Sequence, residues 1–324
     1  MLKGYTKQEI SWMMYDWANS AHSVIIVTLL PIFFDTVAGY TADSVSSMST
    51  WGYATSIAML IVALAAPFLG VFGDIRGMRK KLFSFFMLLG VAACAGMAFT
   101  PGMDFTSGPV AAGKVASLIL VLYIVSVIGF DASAIYYDAF LTDVTTEDRM
   151  DKVSTMGYGL GYIGGSTIPL LIFLIMNLVG VPMLTCLAFV FGLTAVWWLA
   201  FSLPLLKNCE QTSGKPYEKG DVARSIKGVG TTIKEIIANK PMLIYILSYF
   251  FYIDGVHTVI SMATTYGTNL GLDSTGMMLA LLLVQILGLP FCLLYIKLAE
   301  KFGARTMVGV GICVYMFICV FAFF

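Results

Sequence analysis

Seven polar or ionisable side chains interrupt stretches of the sequence that are otherwise strongly apolar. Counting about 1.5 Å per helical residue places Asp131 about 18 Å from the polar end of its stretch, and Asp254 about 20 Å from Pro241. Carboxylates and imidazoles bind and release protons, so the set predicts substrate binding or proton coupling. The seven residues are Asp16, Asn19, His22, Asp131, Asp138, Asp254 and His257.

Two of these stretches share a helical spacing. In each, an aspartate is followed by polar residues three, four and seven positions later, which at about 100° per residue places them on one side of a helix. Asp131 and Asp138 also share one face. These stripes indicate either a polar cavity or hydrogen bonds that hold a helical bundle together. The two spaced sets are Asp16, Asn19, Ser20 and Ser23, and Asp254, His257, Thr258 and Ser261.

A different pairing of the two stretches aligns His22-Ser-Val-Ile with His257-Thr-Val-Ile, and the sequence does not choose between the alignments. In both, the two histidines of the chain occupy related positions. The chain therefore contains an internal repeat, a frequent property of transporters.

A charged loop motif also occurs twice, at a shift of 226 residues. An aspartate can pair with an arginine and accept hydrogen bonds from a helix N-terminus, so the motif predicts a latch that gates one side of the membrane. The alternative is an ordinary basic cytoplasmic loop. The first copy contains Gly70, Asp74, Gly77, Arg79 and Lys80, and the second contains Glu300, Gly303 and Arg305.

The elements that carry these residues must be membrane helices. Of the 324 residues, 59% are hydrophobic and only 12% are charged, and the mean hydropathy is +0.87. A water-soluble domain has about 25% charged residues, so the chain is predicted to be an all-α polytopic membrane protein. Nine spans are predicted, at 12–36, 51–72, 82–100, 115–142, 153–178, 183–204, 242–266, 277–298 and 307–324.

The basic residues predict the orientation. Eighteen of the 19 Lys and Arg fall on the side of the N-terminus, and only Lys114 falls in a loop of the other side. Cytoplasmic loops carry the Lys and Arg excess, so the N-terminus is expected to be cytoplasmic. The predicted domains are a six-helix bundle at 1–206, a cytoplasmic linker at 207–240 with a surface helix at 222–238, and a three-helix part at 241–324.

Other function classes are disfavoured. The formal net charge of zero argues against nucleic-acid binding, and the six scattered cysteines show neither a disulfide nor a metal-ligand spacing. Neither a Walker A motif nor a hydrolase or metalloprotease motif is present, so we expect no enzyme activity and no cofactor or metal. Gly157, Gly161 and Gly165 form a doubled G-x-x-x-G, which predicts a close helix-packing face.

The loop G-x-x-x-D-x-x-G-x-R-K at 70–80 resembles the signature loop of the major facilitator superfamily, departing at Ile75, where that pattern often has a basic residue. More narrowly, YDWANSAHSVI, YYDAFL, GYGLGYIGG and FYIDGVHTVI resemble the vacuole-effluxer-like branch, whose bacterial members are an "unknown major facilitator" group. The resemblance implies twelve helices in two bundles, with helices one, four, seven and ten lining a central cavity. It therefore implies that the sequence stops after the ninth helix.

Together these observations predict a secondary transporter that moves a small polar solute by alternating access, with coupling to protons. Amino acids are the substrate class that the resemblance suggests. The alternative is a truncated or non-transporting membrane protein such as a sensor. The expected setting is the lipid bilayer of a bacterial inner (plasma) membrane, with the protein as a monomer and without nucleic acid.

Overall fold

A computed structural model describes residues 2–41, 47–216, 221–269 and 274–323. In these ranges the chain is helical, and the one β pairing is an isolated bridge between Ile75 and Lys215. A π-helical segment, Gly161–Ser166, joins α5 to α6. The helices are α1 Lys7–Ala38, α2 Ser47–Gly73, α3 Arg79–Met97, α4 Pro109–Val144, α5 Met150–Leu160, α6 Thr167–Leu178, α7 Met183–Asn208, α8 Asp221–Ala238, α9 Lys240–Asn269, α10 Ser274–Phe302 and α11 Ala304–Phe323.

The predicted spans fall on these helices. Among the described residues, eight helical segments are long and apolar enough to cross a membrane, with α5, the π-helical segment and α6 forming one of them. A ninth is counted if α8 and α9, which are bent by 97° at their junction, are taken as one span. The chain is thus a polytopic helical membrane protein, and the count of nine spans stays a prediction.

The chain divides into two compact units, Met1–Tyr217 and Glu218–Phe324. In the first, α1 contacts α4, α5, the π-helical segment and α7. Apolar side chains along its length are fully buried, among them Tyr15, Ile25 and Leu30. Helix α1 is therefore the central element of the first unit. In the second unit, α8 contacts α9, and α10 contacts α11.

The glycines of the fifth span form the face on which α1 packs. A Cβ placed on Gly157 would lie 2.4 Å from Asp16 Oδ2, and one placed on Gly165 would lie 2.4 Å from the Trp17 carbonyl oxygen. At Gly164, a Cβ would lie 2.1 Å from the Trp17 ring. The predicted glycine packing face is confirmed, and a larger residue at Gly164 or Gly165 would clash with the Trp17 ring or with the backbone of α1.

Helices α3 and α4 approach each other at a second pair of glycines. A Cβ on Gly129 would lie 2.5 Å from the Gly90 nitrogen and 2.8 Å from the Phe86 carbonyl oxygen. Both of these neighbours are backbone atoms, so they cannot rotate away. The two backbones are therefore in direct contact at this crossing.

The start of α1 is fixed by a capping box and an ion pair. Thr6 Oγ1 accepts a hydrogen bond from the Glu9 nitrogen at 3.1 Å, and Glu9 Oε2 accepts one from the Thr6 nitrogen at 2.7 Å. Glu9 is 1% exposed and also accepts hydrogen bonds from Arg149 Nε at 2.8 Å and from Arg149 Nη2 at 2.9 Å. The start of α1 is thereby tied to the loop that follows the fourth span.

Candidate functional site: a polar core and a charged loop in the first unit

A polar cluster lies between α1 and α4 in the first unit. Tyr137 Oη donates a hydrogen bond to Asp16 Oδ2 at 2.7 Å, and Trp12 Nε1 donates one to the Tyr137 carbonyl oxygen at 2.9 Å. The rings of Trp12 and Tyr137 stack with their centroids 4.3 Å apart. Asp16 is only 8% exposed. Its side chain therefore belongs to the α1–α4 interface of this unit.

The cluster continues along α1 through three further contacts with hydroxyl groups. Tyr15 Oη and Ser133 Oγ are 2.8 Å apart, and Trp198 Nε1 donates to Tyr15 Oη at 3.3 Å. His22 Nε2 lies 3.2 Å from Ser126 Oγ. Polar groups from α1, α4 and α7 therefore meet inside one bundle.

His22 is enclosed by aromatic rings. It is 2% exposed, and its ring stacks on Phe130 with centroids 4.7 Å apart and lies 5.2 Å from the Trp198 ring. Its Nδ1 has no hydrogen-bond partner within the described residues. Asn19, one turn earlier, is 8% exposed. Both predicted residues thus lie in the interior of the first unit.

Asp131 and Asp138 lie on another side of α4. At 100° per residue, they are turned roughly 140° from the face that carries Ser126 and Ser133. Asp131 is half-buried and Asp138 is exposed, and neither has a hydrogen-bond partner in the part of the chain that the structure describes. The first unit therefore presents these two carboxylates away from its α1-facing core.

Asp254 and His257 lie on α9 in the second unit, and both side chains are exposed there. The side chains of Thr258 and Ser261, which complete the predicted stripe, lie outside the described residues. The structure therefore brings Asp16, Asn19 and His22 together, and it describes Asp254 and His257 as a separate set.

The charged loop at 70–80 forms a tight turn between α2 and α3. The Asp74 nitrogen donates to the Gly70 carbonyl oxygen at 3.2 Å, and Gly77 has a φ of +80°, which favours glycine. Arg79 is 5% exposed and forms an ion pair with Asp143 at the end of α4. Asp74 is 3.9 Å from Arg79, but its side chain is 80% exposed. The principal carboxylate partner of Arg79 is therefore Asp143 and not the aspartate of the motif.

The second copy of the motif lies between α10 and α11. Gly303 has a φ of +84°, close to that of Gly77, and its nitrogen donates to the Ala299 carbonyl oxygen at 2.9 Å. Glu300 and Arg305 flank this turn and are exposed in the second unit. The two copies thus share a left-handed glycine at the same place in the motif.

Comparison with known proteins identifies the family. The family model described as "Vacuole effluxer Atg22 like" matches residues 36–148 and 142–324. A Bacillus subtilis (strain 168) protein named uncharacterized MFS-type transporter YxiO is 41% identical over 332 residues, covering 100% of this chain and 75% of that protein. The chain belongs to the Atg22-like family of major facilitator transporters.

Fungal members of the Atg22-like family match a smaller part of the chain. Autophagy-related protein 22-1 of Penicillium rubens is 24% identical over 177 residues, covering 51% of this chain and 30% of that protein. Autophagy-related protein 22-1 of Aspergillus niger is 24% identical over 176 residues, covering 51% of this chain and 28% of that protein. The family model and the Bacillus subtilis relative point to a transporter family and to no catalytic one.

Some residues make specific contacts in the first unit but are difficult to recognise from the sequence. Tyr137 stands in the YYDAFL sequence that resembles the family, but its bond to Asp16 depends on the packing of two helices. Asp143 is recognisable only as an ionisable residue at the end of a span. Gln211, which contacts the loop at 70–80, has no sequence signal at all. Within the described residues, no three His, Cys, Asp or Glu side chains are grouped as a metal site.

Proposed function

We propose that the protein is a secondary transporter that moves a small polar solute across the membrane by alternating access, driven by protons. Membership of a transporter family supports the general activity. The observation that carries the proposal about coupling is Asp131, a half-buried carboxylate without a hydrogen-bond partner in the described chain, on a face of α4 away from the α1 core.

The depth of Asp131 supports this role. Twelve residues separate it from Asp143 near the end of α4, which corresponds to about 18 Å of helix. An ionisable side chain that deep in a membrane is costly unless it faces water or a partner, so such residues usually mark a substrate or proton pathway. Asp138, seven residues later on the same face, extends the proposed pathway towards the loop end of α4.

Other observations support the proposed substrate, direction of transport and membrane. Amino acids are the proposed solutes, and the family description as a vacuole effluxer suggests export from a compartment. The 41% identical relative is bacterial, which supports a bacterial plasma membrane. The concentration of 18 of the 19 basic residues on one side supports a cytoplasmic N-terminus. We propose that a single copy of the protein is the working unit.

Asp131→Asn tests the coupling. The purified protein in liposomes is given a radiolabelled mixture of the twenty amino acids, with and without an imposed pH gradient. We expect the variant to lose at least about tenfold of the gradient-driven accumulation, because the amide cannot carry the proton. Exchange of labelled for unlabelled solute needs no net proton movement, so counterflow should persist.

Asp104→Asn is the matched control, because Asp104 is a carboxylate in the exposed loop between α3 and α4. Hydrogen bonds from Ser107 hold the pKa of Asp104 below its usual value, so this carboxylate stays charged and has no proposed proton-transfer role. Gradient-driven accumulation that is equal in Asp131→Asn and in the unmodified protein would refute the coupling. An absence of both accumulation and counterflow in the unmodified protein would refute transport of amino acids.

A further inference from the structure

We propose that residues 209–215, here called the clasp segment, are a component of the gate predicted at the signature loop, residues 70–80. Gln211 positions this loop for transport. The proposal rests on the transport function proposed above. The clasp segment follows directly on α7 and folds back over the ends of α2, α3 and α4.

Gln211 joins the two helices on either side of the signature loop. Its Oε1 accepts a hydrogen bond from the Gly77 nitrogen at 2.8 Å and from the Arg79 nitrogen at 3.3 Å, and its Nε2 donates to the Gly73 carbonyl oxygen at 2.9 Å. Helix α3 has no side-chain cap at Met78, its own N-cap residue. Gln211 therefore satisfies the free N–H groups at the start of α3 and a free carbonyl at the end of α2.

The next two residues of the clasp segment bind the carboxylate that pairs with Arg79. Asp143 Oδ1 accepts hydrogen bonds from the Thr212 nitrogen at 3.1 Å and Oγ1 at 2.8 Å, and from the Ser213 nitrogen at 2.9 Å and Oγ at 2.8 Å. The other carboxylate oxygen binds Arg79. The Asp143 side chain is fully buried under these contacts. The clasp segment thus covers the ion pair and fixes it.

Backbone contacts hold both ends of the clasp segment. Lys80 Nζ donates to the Cys209 carbonyl oxygen at 3.2 Å, and the Lys215 backbone exchanges two hydrogen bonds with Asp74 and Arg76, at 3.1 Å and 2.9 Å. Gly214 has a φ of +114°, and a Cβ there would lie 2.7 Å from the Asp74 carbonyl oxygen. The clasp segment therefore follows the signature loop closely along its length.

The clasp segment can release more easily than a helix of the bundle. Residues 212–216 are exposed, and the contacts of this segment with the loop are hydrogen bonds that water can replace. From Lys215 the chain runs on into the second unit, so this segment is also the covalent connection between the units. A movement transmitted along the chain from the second unit would reach the clasp segment first. Through Gln211 and Asp143 it would then act on the signature loop.

Cys209 provides a built-in reporter of this release. It is 0% exposed, and its thiol donates to the Gln8 carbonyl oxygen with the sulfur 3.6 Å from that oxygen. Burial raises the pKa of the Cys209 thiol to about 12, so it does not react with maleimides while the clasp segment is in place. Once the segment leaves, the thiol becomes accessible and its pKa falls back towards its usual value.

The experiment measures the labelling rate of Cys209 by fluorescein maleimide in a variant whose other five cysteines are alanine. Gln211→Met keeps the length of the side chain and removes its hydrogen bonds, and we expect it to increase the labelling rate by about tenfold or more. Gln211→Glu keeps the acceptor for Gly77 and Arg79, so it should restore most of the protection. Glu210→Gln, an exposed neighbour, is the matched control and should label like the parent.

Transport is measured on the same variants as counterflow of the labelled amino-acid mixture. Gln211→Met should lower the maximal rate without changing KM, because Gln211 lies at the loop and not among the proposed solute-binding residues. Gln211→Glu should recover the rate.

An unchanged labelling rate of Cys209 in Gln211→Met would overturn the proposal that Gln211 holds the clasp segment in place. Faster labelling with an unchanged transport rate, or an equal loss in rate and solute affinity, would overturn the positioning role. If the unmodified protein moves no amino acid, the proposed function fails and the positioning role with it. The labelling rates would still decide whether the clasp segment is held by Gln211.

Discussion

Gly129→Ala is expected to prevent most of the protein from reaching a folded state. The added methyl group would lie 2.5 Å from the Gly90 nitrogen and 2.6 Å from the Gly90 Cα. Neither atom can move without separating α3 from α4, which make the most extensive helix contact in the first unit. Overpacking against a side chain costs about 1–3 kcal/mol, and a clash with the backbone of the neighbouring helix α3 should cost about 3 kcal/mol or more.

The measurement is the fraction of detergent-solubilised protein that remains monodisperse on size-exclusion chromatography after heating. Gly113→Ala is the matched control, because Gly113 is on the same helix and a Cβ there has no atom within 4 Å. Alanine is the better helix former, so this control should be at least as heat-resistant as the parent. Equal heat resistance of the two variants would contradict the close approach of α3 and α4.

Arg149→Met is expected to cause the second large loss of stability. Glu9 is 1% exposed, and two of its hydrogen bonds come from Arg149. Removing the guanidinium leaves the buried carboxylate without its counter-ion, with hydrogen bonds only from Thr6 and Thr145 among the described residues, and this destabilises the folded state. The same chromatographic assay should show a lower heat resistance. The start of α1 should also become sensitive to proteases, because Arg149 donates a further hydrogen bond to the Gly4 carbonyl oxygen at 2.9 Å.

Combining Arg149→Met with Glu9→Gln separates the two causes of this loss. If the unpaired charge is the main cost, the double variant should be more stable than Arg149→Met alone, because the amide needs no counter-ion. Arg76→Met removes an exposed arginine from the signature loop and should have little effect. A double variant no better than Arg149→Met would show that packing, and not charge, is what Arg149 contributes.

The periodicity of the sequence was sufficient to predict the helices and one packing face. In a bilayer, a run of about twenty apolar residues can satisfy its backbone hydrogen bonds only as a helix. The first six predicted spans accordingly coincide with helical segments. The doubled G-x-x-x-G predicted contact with another helix, and these glycines pack against α1 in the structure. The sequence did not predict that α1 is the partner helix or that Gly161–Ser166 is π-helical.

Less of the candidate site was predictable. A spacing of three and four residues places Asp16 and Asn19 on one side of a helix, but it does not tell whether that side faces water or another helix of the same bundle. In the first unit this side packs against α4, with Tyr137 as the partner of Asp16. The motif predicted only that its aspartate pairs with an arginine; Asp74 lies 3.9 Å from Arg79, but the closer carboxylate of Arg79 is Asp143 on another helix. Contacts of this kind depend on tertiary packing, and no local pattern encodes them.

The position of α1 at the centre of the first unit has a consequence for biosynthesis. The hydroxyl that binds Asp16 is 121 residues further along the chain, and the one beside His22 is 104 residues further along. At about 5–20 residues per second, a ribosome needs about 6–24 s to supply the first of these partners. During that time Asp16, four residues inside its predicted span, has no hydrogen-bond donor from α4, and an ionisable side chain within a span is costly without a partner. The nascent α1 should therefore stay at the translocon, shielded from lipid, until α4 emerges.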